Sequence, residues 1–113
     1  DAGATRQAFD DFAELIRLFP NSQYAKDAHQ RMIHLRNRLA QYELHVANYY
    51  MKREAYLAAA NRAKYVVDHY PKTPAVPHAL ELMEVAYNLL DLPDLAENSR
   101  RVLLLNYPDY NNG

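Results

Sequence analysis

Three aromatic–proline pairs, Phe19-Pro20, Tyr70-Pro71 and Tyr107-Pro108, each close an amphipathic segment, and they constrain this chain more than any other feature. Counting back from each proline exposes one skeleton. Twelve residues before the prolines stand Ala8, Ala59 and Ala96; five before stand Leu15, Val66 and Leu103; four before stand Ile16, Val67 and Leu104. A small residue lets the two helices of a hairpin approach closely, the aliphatic pair fills the groove between them, and the aromatic covers the last turn. Proline then ends the helix, because it lacks an N–H and biases the preceding residue away from α-helical backbone angles. A chain that repeats such a unit is expected to stack helical hairpins.

The rest of the sequence agrees with an all-α fold. Only two glycines occur, Gly3 and Gly113, so the long interior lacks the residue that loosens helices or makes hairpin turns. No segment shows the period-2 alternation of a half-buried strand, whereas Phe9, Phe12, Leu15, Ile16 and Phe19 recur at helical spacing. Half of the 113 residues are hydrophobic, enough for one continuous core. Five helices are expected, at roughly 4–19, 23–52, 54–70, 75–91 and 93–107, in one domain spanning 1–113 with a loose tail over 109–113.

The skeleton resembles the tetratricopeptide repeat, whose period is about 34 residues. The middle copy fits best: Ala47 takes the small site, Tyr50 the aromatic site, Ala59 the alanine site and Pro71 the last position, while Ala63 replaces a large residue. In the last copy Tyr87, Ala96 and Pro108 fit, but Glu84 and Arg100 depart, so looser packing is expected there. The prolines are 51 and 37 residues apart, so two insertions must be placed. The first falls in Tyr24–Lys52, which has neither glycine nor proline and predicts one long helix of about 43 Å. The second falls in the proline-punctuated connection Lys72-Thr73-Pro74-Ala75-Val76-Pro77.

Several function classes lose their footing. Thirteen Lys and Arg against fourteen Asp and Glu give a net charge of -1, so no global field attracts nucleic acid or an anionic membrane surface. Cysteine is absent, which removes disulfides, thiolate metal sites and a cysteine nucleophile. No HExxH, glycine-rich phosphate loop, nucleophile elbow or calcium loop occurs, and His29 and His34 lie five apart, off the spacing that pairs two imidazoles on one helix face. No catalytic, cofactor-binding or metal-binding residue is therefore expected. Apolar stretches are too short to cross a bilayer, and nothing at the start reads as a signal peptide. Because the chain opens with Asp1 inside an amphipathic segment, it is expected to be part of a longer protein.

What remains is a surface for partners. The ten tyrosines fit mainly a core role, but Tyr49, beside the core position Tyr50, points about 100° away on the helix and is a candidate for an amphipathic contact surface. Arg62, following Asn61 beside Ala58-Ala59-Ala60, has small neighbours that leave its guanidinium accessible and able to form a bidentate pair. Arg100 and Arg101 form a weaker version of the same feature.

Longer strings carry a more specific resemblance. Ala8-Phe9-Asp10-Asp11-Phe12, Phe19-Pro20-Asn21-Ser22-Gln23-Tyr24, Arg38-Leu39-Ala40-Gln41-Tyr42-Glu43 and Val46-Ala47-Asn48-Tyr49-Tyr50 resemble the C-terminal half of the BamD family, the tetratricopeptide lipoproteins of the outer-membrane β-barrel assembly machinery. The resemblance implies a non-enzymatic adaptor on the periplasmic face of the outer membrane, tethered by a lipid on an N-terminal cysteine that lies outside this chain. It also implies docking to the membrane-proximal POTRA domain of BamA, with Arg62 at the family's arginine position and BamE as a neighbour. A generic tetratricopeptide module gripping a carboxylate-bearing peptide in its concave groove is the alternative. Basic residues converging in the concave face would favour that clamp; Arg62 on an outward helix would favour docking to a folded domain.

Overall fold

The computed structural model describes residues 2–110, and these form five α-helices and no strand: α1 (Ala2–Leu18), α2 (Gln23–Lys52), α3 (Tyr56–His69), α4 (Ala75–Leu89) and α5 (Pro93–Asn106). Each packs on its neighbour in sequence, and α2 also packs on α4. That pattern makes two layers, with α2 and α4 inside and α1, α3 and α5 outside, as in tetratricopeptide repeats. The long helix is unbroken over its 30 residues. With neither proline nor glycine in it, nothing forces a kink.

All three aromatic–proline pairs end their helices by the same hydrogen bond. The N–H of Phe19 donates to the Leu15 carbonyl at 2.9 Å, that of Tyr70 to Val66 at 2.9 Å, and that of Tyr107 to Leu103 at 2.8 Å. At Tyr70 and Tyr107 the backbone then leaves the helical region, with φ of -127° and -136°. Ser22 starts α2 by accepting from the Ala25 N–H at 3.0 Å while its own hydroxyl donates to the Phe19 carbonyl at 3.0 Å. The second connection is shorter than Lys72–Pro77, because Val76 and Pro77 already belong to the first turn of α4. Proline is tolerated there because first-turn N–H groups have no partner within the helix.

The three later reversals between helices each use left-handed backbone, and the chain supplies it there without glycine. Glu54, Lys72 and Asp91 have φ of 61°, 68° and 60°. Each non-glycine residue in that region gives up about 1–2 kcal/mol, which the surrounding packing must offset.

Alanine dominates that packing. Ala40 and Ala47 of α2, Ala59, Ala60 and Ala63 of α3, and Ala79 and Ala86 of α4 are all fully buried. Val66 sits among them as the largest side chain with no exposure. Ala63, expected as a departure from the repeat, is another such contact.

The skeleton is not equally buried in its three copies. Val66 and Leu103 are core residues, but Leu15 is half-buried and Leu104 is 43% exposed, so the aliphatic pair fills a groove fully in neither outer copy. Phe19 is likewise 57% exposed, whereas Tyr70 is buried. The reason is position: α1 has its backbone close to that of α2 alone, and α5 to that of α4 alone.

Of the tail expected to be loose, residues 111–113 lie outside the described residues. Tyr110 belongs to that tail and is held. Its hydroxyl lies 2.9 Å from His78 Nδ1 and 3.2 Å from Glu81 Oε1, both on α4.

Two outcomes follow from this packing. Ala59→Leu should lower stability by about 1–3 kcal/mol by overpacking the α2–α3 contact, whereas Ala8→Leu in half-buried α1 should change it much less; urea unfolding checks both. Burial, and secondarily Glu81, raise the Tyr110 pKa above the ordinary phenol value. The folded state therefore favours the protonated phenol, so this contact contributes below the unfolded phenol pKa and is lost as pH rises through the folded one. Phenolate absorbance with Tyr110→Phe as reference should show Tyr110 titrating late and the turn releasing as it does.

Candidate partner-docking surface

Glu43 is the one charged residue in the buried core among the described residues, and it lies on the long helix between core residues Ala40 and Ala47. Spacing of i, i+4 and i+7 puts Glu43, Ala47 and Tyr50 on the face of α2 that meets α3. A buried carboxylate needs a charged or hydrogen-bonding partner. Arg62 of α3 supplies it: Nη1 donates to Glu43 Oε2 at 2.8 Å, with side-chain exposures of 38% and 11% for the arginine and the glutamate. The hydrogen bond to Glu43 pushes the guanidinium pKa up further, against a smaller desolvation, with a lesser contribution from Tyr50. The bidentate pairing that Arg62 could make is thus used here as a single N–H···O contact.

Around this pair lies an open cleft of about 430 Å³, lined by Glu43, Tyr50, Ala58, Asn61, Arg62 and Tyr65. Ala58 keeps one wall low, which gives physical content to the argument for Arg62 from small neighbours. Asn61 is exposed on the rim. Tyr65 stacks on His69 with ring centroids 4.1 Å apart and meets Tyr70 edge-on at 6.0 Å. Beyond them, Arg6 of α1 lies close enough to the Tyr70 and Tyr65 hydroxyls for them to raise its pKa. A strip of aromatic and cationic groups therefore runs from the cleft across the end of α3 onto α1.

The other candidate residues do not line the cleft, although Tyr49 borders it through Tyr50. Tyr49 is 49% exposed, meets Tyr50 edge-on at 6.0 Å and carries the Arg53 guanidinium 4.9 Å above its ring. Arg100 Nη1 reaches Glu84 Oε2 at 3.4 Å, so the two departures from the repeat pattern pair with each other across α4 and α5. Arg101 is exposed on α5. The structure thus brings Asn61 together with Arg62, sets Tyr49 beside the cleft behind Tyr50, and leaves Arg100 and Arg101 elsewhere on the surface.

Glu43 and Tyr65 were missed from sequence. Glu43 could have been found, since an acidic residue three and four positions from core alanines on a helix demands a partner. Tyr65 gave no signal among ten tyrosines.

The inner layer has different chemistry. A groove of about 410 Å³ between α2 and α4 is lined by Gln41, Leu44, Asn48, Met51, His78, Glu81, Leu82 and Val85. It holds a carboxylate and neither lysine nor arginine. Among the described residues, no group of three His, Asp or Glu is placed to hold a metal ion, and no helix is long and apolar enough to cross a membrane.

Residues 1–103 match the model of a family described as YfiO, outer membrane lipoprotein. The chain belongs to that family. It is similar to proteins named outer membrane protein assembly factor BamD: 51% identical over 108 residues to that of Neisseria gonorrhoeae, 43% over 110 to that of Xylella fastidiosa (strain Temecula1), and 42% over 106 to that of Vibrio cholerae. These alignments cover 96%, 97% and 94% of this chain but 40%, 38% and 44% of the relatives. The chain thus spans about two-fifths of the relatives' length.

Removing Arg62 leaves the Glu43 carboxylate buried and unpaired. Arg62→Ala is expected to destabilise the chain by about 1–3 kcal/mol, the half-exposed arginine placing it below the range for a fully buried pair. Arg100→Ala, which breaks a longer and more exposed pair, should stay within about 0.5 kcal/mol. Urea midpoints of the two variants at constant m-value make the comparison.

Proposed function

We propose that this chain is the partner-holding segment of an outer membrane protein assembly factor, a scaffold without chemistry of its own. On this reading it is a subunit of the β-barrel assembly complex, at the periplasmic face of the outer membrane. Its 113 residues work as one unit, and the anchoring lipid is carried by a part of the protein outside this chain. Its Arg62 cleft docks the membrane-proximal POTRA domain of BamA, and BamE lies alongside. Family membership and the relatives named BamD support the assembly role.

The observation that carries the docking reading is the position of Arg62. It stands on an outer-layer helix, exposed enough to be reached, in a cleft whose tyrosines offer apolar area and hydroxyls together. A carboxylate on the partner would meet guanidinium N–H groups left over from the Glu43 contact. Such pairs fix orientation, and truncating one member of a buried interfacial pair costs about 2–5 kcal/mol. Asn61 and Tyr65 would form the rim of that contact, while Tyr49, Arg100 and Arg101 could join only through a wider footprint. The peptide-clamp alternative needs converging basic residues in the inner groove, and the residues lining it include neither lysine nor arginine.

The test is binding of the chain to purified BamA POTRA domains. Arg62→Glu and the gentler Arg62→Gln should both weaken binding, the former by at least about 30-fold, the lower end of that range. Circular dichroism must show both variants folded, since Arg62→Glu sets a second carboxylate beside Glu43. Equal binding by parent and folded variants would move the interface away from Arg62, and no binding by the folded parent would overturn the docking reading.

A further inference from the structure

We infer that Glu43 is a positioning residue for the docking surface: from inside the α2–α3 contact it sets the orientation in which Arg62 meets an acidic group on a partner. The inference rests on the docking reading and adds to it a residue that need not touch the partner.

Geometry makes the case. Glu43 is 8% exposed, so its carboxylate is largely removed from direct contact with anything docking from outside. Its Oε2 nevertheless holds Nη1 of a guanidinium contributed from 19 residues further along the chain. Guanidinium is planar and rigid, so anchoring one nitrogen limits the directions its other N–H groups can face. Tyr50 on one side and Tyr65 on the other line the same cleft and narrow the choice further. Arg100 provides the contrast: its contact with Glu84 is longer at 3.4 Å and its side chain is 56% exposed, which leaves it freer to reorient.

Fixing a long side chain before contact removes the ordering penalty it would otherwise incur on binding, a factor of about 2–10 in affinity per immobilised side chain. Charge alone makes the opposite forecast. Deleting Glu43's negative charge makes the cleft more positive, so a partner held only by the local field would bind a Glu43 variant more tightly. Positioning and field therefore differ in sign.

The experiment compares Glu43→Met and Glu43→Gln with the parent in binding to the same POTRA domains. Methionine fills a similar volume without charge, and the arginine it leaves unpaired is 38% exposed, so its guanidinium can turn to water and the fold is expected to survive. Glutamine removes the same charge but keeps an oxygen that can accept from Arg62. Positioning gives a loss of about 3- to 10-fold for Glu43→Met and substantial rescue by Glu43→Gln, with helix content unchanged. It also gives increased motion of the Arg62 Nε–Hε group in Glu43→Met by NMR relaxation, which loss of general packing alone would not confine to Arg62. Tighter or unchanged binding by Glu43→Met, or identical behaviour of the two variants, would overturn the inference while leaving docking through Arg62 intact. Failure of the folded parent to bind overturns docking itself, and an Arg62 side chain equally mobile in parent and Glu43→Met overturns the positioning step without reference to any partner.

Discussion

Helices in this chain touch through alanine, and the approach this permits governs everything built on it. Fully buried alanines line α2, α3 and α4 where they meet, with Val66 as the largest side chain wholly inside. Close backbones leave little room for adjustment, so each hairpin has a definite crossing and a definite register. The shared aromatic–proline endings then fix where each outer helix stops. A scaffold of this kind holds its shape through many short contacts between neighbours, as expected of stacked repeats.

Among the described residues, one charge interrupts that apolar rule. Glu43 occupies a site on α2 where its neighbours one turn away are alanine, and a carboxylate there has to be answered from the facing helix. Arg62 answers it, and thereby becomes part of the hairpin as well as part of the surface. On the docking reading proposed above, stability and recognition would meet in this one side chain, and a change at Arg62 would disturb both. The Glu84–Arg100 contact in the next hairpin repeats the arrangement in a looser and wetter form.

The fold could be read from the chain because its signals are local and periodic. Proline after an aromatic, alanine twelve residues earlier and the long glycine- and proline-free stretch placed five helices, and the α2 boundaries coincide with those of the structure. Relations between helices were harder. That Glu84 and Arg100, each marked as a departure, would pair could be known only once α4 and α5 lay side by side. Tyr65 could not be told from nine other tyrosines, since its value comes from His69, Tyr70 and the cleft around Arg62. Exposure of Leu104 and Phe19 also escaped, because a repeat pattern assumes a neighbour on both sides. The contact that Tyr110 makes was not legible for a related reason: its partners, His78 and Glu81, sit about thirty residues away.

The unbroken α2 belongs to two hairpins at once. Its first half carries α1, its second half carries α3 and α4, and the end of α3 comes back to the start of α1 at a small cavity of about 240 Å³ lined by Arg6, Phe9, Asp10, Arg36, Leu39, His69 and Tyr70. Outer helices thus lie end to end along a single spar about 45 Å long. The seat of α1 and the Arg62 cleft share one helix with no proline or glycine joint between them. Whatever is clasped at either end of the spar is therefore held at a set angle to the other, as two fittings are on one rigid rod.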